Sequence, residues 1–229
     1  MSSSPVSAPS GLVIAIDGPS GSGKSSTSRG VATRLGLRYL DTGAMYRAMT
    51  WWMLRAGVDP TDPVAVAARV GEPLIEAGTD PLGPTIAVDG IDVVRAIRTD
   101  EVTGSVSPVS AVAEVRARLL GLQRTIIAAA PGGIVVEGRD IGSVVAPDAP
   151  VKVYLTADPS ARAVRRAAEE GGSDVAATEE SLLARDRIDS GRAASPLVMA
   201  EGAVHIDTTP YSLDEVIDLV VGLVKEAGA

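Results

Sequence analysis

The chain has 229 residues, a formal net charge of -8, no cysteine and no phenylalanine, and its sequence pI is near 4.7. That length suits one α/β domain with a small insertion, its core built from Val, Ile, Leu and Ala. The missing cysteine excludes disulfides and thiolate metal sites and fits a reducing cytoplasm; the acidity argues against non-specific nucleic-acid binding, and no apolar run is long enough to span a membrane.

Residues 1–10 are rich in Ser, Pro and Ala and carry no basic n-region, so a disordered tail is expected rather than a signal peptide. A strand is expected over 12–16 and a helix over 24–35. Between them Gly18-Pro19-Ser20-Gly21-Ser22-Gly23-Lys24-Ser25, followed by Ser26, fits G-x-x-x-x-G-K-[ST]. The glycines let several backbone N–H groups face one anion, and the helix N-terminus adds its positive end. Lys24 can reach β- and γ-phosphates, and the Ser25 hydroxyl can join a Mg²⁺ shell. The alternative is a glycine-rich turn with no ligand, but strand, turn and helix supply the context a phosphate loop requires. Lysine is otherwise rare: only Lys24, Lys152 and Lys225 occur, against eighteen arginines.

A second strand over 38–40 and a helix over 44–56 bracket Asp41-Thr42-Gly43-Ala44-Met45-Tyr46-Arg47, where Asp41 or Thr42 can cap the helix. Residues 70–102 break the alternation with short β-type runs at 73–75, 85–88 and 91–94, and Asp89-Gly90 is a hairpin signal. Further on, strands are expected over 134–137, 151–155 and 203–206, and helices over 111–129, 157–169 and 213–226. Alternating strands and helices imply a parallel sheet covered on both faces, with ligands at the carboxyl ends of its strands. Gly171-Gly172-Ser173-Asp174 reads equally as a lid hinge or as an ordinary loop between helices. His205, the single histidine, and Trp51 and Trp52 read as structural.

Arginines and carboxylates recur in clusters: Arg98-Thr99-Asp100-Glu101 with Ser107 and Arg116 beyond it, Glu137-Gly138-Arg139-Asp140, and Arg185-Asp186-Arg187-Ile188-Asp189-Ser190-Gly191-Arg192. Arginine offers a rigid fork matched to phosphate oxygens, so a second phosphate-bearing ligand explains their convergence. For Arg185 and Asp189 the spacing alone favours a solvated i,i+4 pair; Arg139-Asp140 is either a strand-end ion pair or functional.

These stretches together resemble the bacterial cytidylate kinases of the nucleoside monophosphate kinase family. The likeness is carried by IAIDGPSGSGKSS, YLDTGAMYR, IRTDEV, VVEGRDIG, APVKVYLTAD, ARDRIDSGRAASPL and IDTT, from Ile14 to Thr209. It implies a P-loop-type five-stranded parallel sheet with a small antiparallel insertion and a helical lid, divided as tail 1–10, core 11–69, monophosphate-binding insertion 70–110, core 111–157, lid 158–192 and core 193–229. It implies transfer of the ATP γ-phosphoryl group to CMP or dCMP with Mg²⁺, by a cytoplasmic monomer that engages neither nucleic acid nor membrane. Lys24, Arg139 and Arg187 are then the catalytic candidates. ATP falls to Gly18–Ser26 with Arg162 and Arg166 of the lid. CMP falls to Asp41, Thr42, Arg47, Ser107, Arg116, Arg139, Asp140, Arg185, Asp189 and Arg192, and the metal to Ser25. Glu137 departs from the Asp that some members carry before G-R-D. Base selection is expected from the segment 98–107 beside the insertion, with Asp100, Glu101, Ser105 and Ser107 as candidate acceptors. A kinase for UMP or another small acceptor, and a nucleotide-dependent switch, are the alternatives; no N-K-x-D guanine-reading motif is present.

Overall fold

The computed structural model describes residues 11–169, 172, 174–191 and 197–228, without the side chains of Glu169, Arg185, Asp189 and Ser190. The expected tail 1–10 and Arg192 lie outside the described residues.

Five strands form one parallel sheet: β1 (Leu12–Asp17), β2 (Arg38–Asp41), β6 (Gly133–Gly138), β7 (Val151–Thr156) and β8 (Val204–Asp207), in the order β2-β6-β1-β7-β8. Three short strands, β3 (Ile75–Ala77), β4 (Ile86–Val88) and β5 (Ile91–Asp92), form a separate antiparallel sheet. Both sheets were expected, and the turn between β4 and β5 is the Asp89-Gly90 hairpin, with Asp89 at φ 52 and Gly90 at φ 76.

Alternation along the parallel strands divides the core in two. Val13, Ala15, Leu40, Ile134 and Val136 face α2 (Thr42–Arg55) and α5 (Ala113–Ala128). Ile14, Ile16, Tyr39, Val135, Val153 and Leu155 face α1 (Lys24–Leu35) and α8 (Leu213–Glu226). The small sheet belongs to the first of these cores: Ile75, Ile86, Val88 and Val93 are buried in it. Burying each such side chain fully is worth about 1.5–3 kcal/mol, so the insertion is part of the core and not an appendage. It is also pinned from outside, since Tyr39 N–H donates to Thr79 O (3.0 Å) and Arg29 Nε to Pro81 O (2.8 Å).

Two helices escaped the sequence reading. α3 (Pro63–Arg69) starts with proline at its first position and is capped by Asp62, which accepts from Val64 N–H and Ala65 N–H. α4 (Asp100–Ala111) is capped by Thr99 and contains Gly104 and Pro108, residues that lower helix propensity. Packing against α2 overrides that local preference. The helix expected over 111–129 is thus α5 alone, parted from α4 by Val112. α6 (Pro159–Glu169) and α7 (Val175–Ser190) follow β7, and Asp174 caps α7 by accepting from Ala176 N–H at 2.8 Å. Among the described residues no helix is long and apolar enough to cross a membrane.

Candidate active site

β1, β2 and β6 end together. Their register sets Asp17 beside Gly138 and Asp41 beside Glu137. The loop after β1 then turns through Gly18, where φ is 148 and a Cβ would lie 2.1 Å from Leu155 O, so only glycine fits. Inside the loop Ser22 Oγ donates to Pro19 O (3.0 Å), and so does Lys24 Nζ (2.6 Å). The lysine is thereby folded back over its own loop.

One cleft lies at these strand ends. On one side it is lined by Ser20, Gly21, Gly23, Lys24, Ser25 and Ser26, with Arg166 from α6. On the other it is lined by Asp41, Thr42, Gly43, Ala44, Tyr46, Arg47, Arg98, Val106, Ser107, Ser110 and Arg116, with Glu137, Gly138, Arg139 and Asp140 between. Five arginines and a lysine thus face three carboxylates, a local positive excess on a chain of net charge -8. Such a cleft concentrates anions.

Each side chain is held by its neighbours. Asp41 is the N-cap of α2 and accepts from Ala44 N–H at 2.9 Å. Thr42 Oγ1 donates to Glu137 O at 2.7 Å, and Gly138 must lack a side chain because a Cβ would sit 2.6 Å from that hydroxyl. Arg47 donates to Ile97 O (3.0 Å) and Thr103 Oγ1 (2.9 Å), joining α2 to α4. Arg116 pairs with Asp140 and lies 5.5 Å over the Tyr46 ring. Arg139 donates to Gly18 O at 3.3 Å.

Glu137 is buried. Tyr39 OH donates to one carboxylate oxygen, and Ser25 Oγ donates to the other at 3.1 Å. Burial pushes the Glu137 carboxyl up to about 7, and the Asp41 charge beside it adds to the shift. Burial pushes Lys24 down to about 8, and Arg139 adds to that. A bound polyphosphate would oppose the Lys24 shift.

Of the expected residues, Gly18, Pro19 and Ser22 shape the loop from behind rather than lining the cleft. Arg162 is buried away from it, donating to Ser20 O (3.1 Å) and Asp186 Oδ2 (2.6 Å). Arg187 is exposed on α7. Arg185 and Asp189 lie on α7 with side chains outside the description, and Arg192 lies beyond it altogether. Asp100 and Glu101 are exposed and do not line the cleft, and no residue from 70 to 95 does. The wall opposite the loop comes from α2, α4 and Arg116 of α5, and on α4 Ser107 and Ser110 share a face at i,i+3 spacing. Ser110 was missed because that helix was missed. Tyr46 stood in the motif at i+4 from Thr42, a signal left unused.

A phosphate loop that shares one cleft with an arginine-rich opposite wall, at the carboxyl ends of a parallel sheet, defines a P-loop phosphotransferase. Residues 14–226 match the family model described as cytidylate kinase. The chain is 61% identical to a cytidylate kinase of Streptomyces coelicolor and 59% identical to one of Streptomyces avermitilis, covering 95% of this chain and 94% of each relative. It is 50% identical to a cytidylate kinase of Mycobacterium leprae over 94% of this chain and 96% of that one. An uncharacterized protein from Eubacterium ventriosum shares the fold at 14% identity, with a TM-score of 0.51 over 94% of this chain and 98% of the other. The chain belongs to the cytidylate kinase family.

Proposed function

We propose that the cleft binds ATP at the loop 18–26 and CMP or dCMP against α2, α4 and the turn 138–140, and transfers the γ-phosphoryl group directly between them. The observation that carries this reading is the placing of Lys24 and of Arg47, Arg116 and Arg139 around one cleft. The triphosphate of the donor and the monophosphate of the acceptor repel each other, and guanidinium forks and an ammonium offset that repulsion where the charge develops. The acceptor is a phosphate oxygen already ionised near neutral pH, so in-line placement matters more than a general base.

A divalent cation suits the donors present. Ser25 Oγ and the Glu137 carboxylate are hard oxygen ligands 3.1 Å apart, in a chain with no cysteine and with its one histidine on β8. Ser25, with Glu137 behind it, would hold Mg²⁺, which when bound neutralises charge on the β- and γ-phosphates. Arg166, which lines the donor side of the cleft, supports a contact with ATP, and the segment 158–192 is assigned as a lid that excludes water. Base choice falls to Ser107, Ser110 and the Arg116–Asp140 pair. Cytosine presents an amino donor where uracil presents an acceptor, and a buried acceptor left unpaired penalises UMP.

Initial rates of ADP release with CMP, dCMP, UMP, AMP and GMP check the reading. CMP and dCMP should be used well, with UMP poorer by ~10- to 1,000-fold in kcat/KM. Equal kcat/KM for UMP and CMP would remove the cytosine assignment.

A further inference from the structure

Asp17 is the last residue of β1, 3% exposed, immediately before the phosphate loop opens. Its Oδ1 accepts from Ile141 N–H and its Oδ2 from Gly142 N–H, both at 2.8 Å. Those amides open a single π-helical turn, Ile141–Val145, and have no partner within it. The far end of that turn is closed by Arg124, which donates to Val144 O (2.7 Å) and Val145 O (3.1 Å). In the opposite sense Arg139 donates to Gly18 O. Three hydrogen bonds therefore cross-tie residues 17–18 to residues 139–142. The fit is close: a Cβ at Gly142 would meet Ala200 Cβ at 3.1 Å, Lys152 Cδ at 3.3 Å and Asp17 Oδ2 at 3.4 Å.

A buried carboxylate is an unfavourable way to join two loops unless both its oxygens are used. Burial does push Asp17 up to about 6, while the two N–H donors and Lys24 pull against that and Asp140 adds to it. An amide in its place would keep one acceptor and present an NH₂ group to the second N–H.

We infer that Asp17 is a positioning residue for phosphoryl transfer: its two-oxygen grip on Ile141 and Gly142 holds Arg139 and Asp140 in fixed register with the phosphate loop, and so sets the spacing between donor and acceptor phosphates. The inference rests on the reading of residues 138–140 as part of the acceptor site. Asp17 acts through that turn and touches neither nucleotide.

The experiment is Asp17→Asn, compared with the unsubstituted protein for ADP alone, for CMP alone, and for an analogue joining adenosine to cytidine through a chain of phosphates. Loosened spacing lowers kcat by ~10- to 100-fold, the scale of a misplacement near 1 Å, while the single-nucleotide Kd values stay within about threefold. The joined analogue binds at least ~10-fold more weakly, because its affinity depends on the two sites standing at the right separation. A joined-analogue Kd and kcat within about threefold of the unsubstituted protein overturn the inference, as does a parallel loss of both single-nucleotide affinities. Should Asp17→Asn not fold, Asp17→Ser, which is smaller, gives the same readouts. Failure of the unsubstituted protein to bind CMP overturns the acceptor reading itself, and the inference with it.

Discussion

Lys24 sits against Pro19 O at the mouth of the loop with its pKa pushed down to about 8, so its charge is held at a loss until an anion arrives. Lys24→Ala should leave the fold intact, by circular dichroism and thermal unfolding, and cut turnover by at least ~100-fold, the scale of removing one charge-stabilising donor. Turnover within a few-fold of the unsubstituted protein would take the lysine out of the chemistry. Glu137 makes a second prediction, on stability without nucleotide. Its carboxyl is raised from 4.5 to about 7, so between those values the folded state holds a proton that the unfolded chain has released. The stabilisation from this group is therefore complete below 4.5 and lost as pH rises through about 7. Asp17, raised from 3.8 to about 6, acts in the same sense, so the urea midpoint should fall across that range. Glu137→Gln keeps the shape and removes the titration, and its midpoint should fall less steeply. An identical slope in the two proteins would mean that Glu137 is ionised throughout.

Among the elements, the antiparallel sheet and α4 differ in their parts, and α4 carries Ser107 from the segment where base selection was expected. The sheet packs into the core while α4 lines the cleft. Asp89 ties the hairpin down: its carboxylate accepts from Leu74 N–H (2.8 Å) and from Trp52 Nε1 (3.0 Å), with its own backbone in the left-handed region. Asp89→Ala loses both bonds and should destabilise the protein by about 1–3 kcal/mol, read by urea unfolding. The CMP-to-UMP ratio of kcat/KM should not move. A changed ratio would give the antiparallel sheet a part in base selection.

The same elements show what could be read beforehand. α1 and α8 begin and end where periodicity placed them, because Gly36 and the Ser212–Glu215 capping box mark their limits in the sequence. The phosphate loop was legible because glycine spacing and backbone conformation are nearly one constraint. α4 was not, since Gly104, Pro108 and several Ser and Thr residues argue locally for a loop, and only its contact with α2 makes it a helix. Hidden with it were Ser110, its place on one face with Ser107, and the exposure of Asp100 outside the cleft. The Tyr39–Glu137 and Asp17–Gly142 bonds join residues 98 and 125 positions apart, and only the order β2-β6-β1 brings them together.

At the scale of the whole molecule, the proposed function requires one cleft to hold both nucleotides and pass a phosphoryl group straight between them. The parallel sheet supplies the common end, the acidic remainder leaves the arginine-rich cleft as the anion site, and the two cores fix its walls from opposite faces of the sheet. The most direct measurement uses ATP labelled at the γ-phosphorus, mixed with CMP and Mg²⁺ and resolved into products during the first turnovers. Direct transfer puts the label in the terminal phosphate of CDP, in step with ADP formation and with none retained on the protein. Label appearing in inorganic phosphate at a rate indifferent to CMP, or carried covalently by the chain, would contradict it.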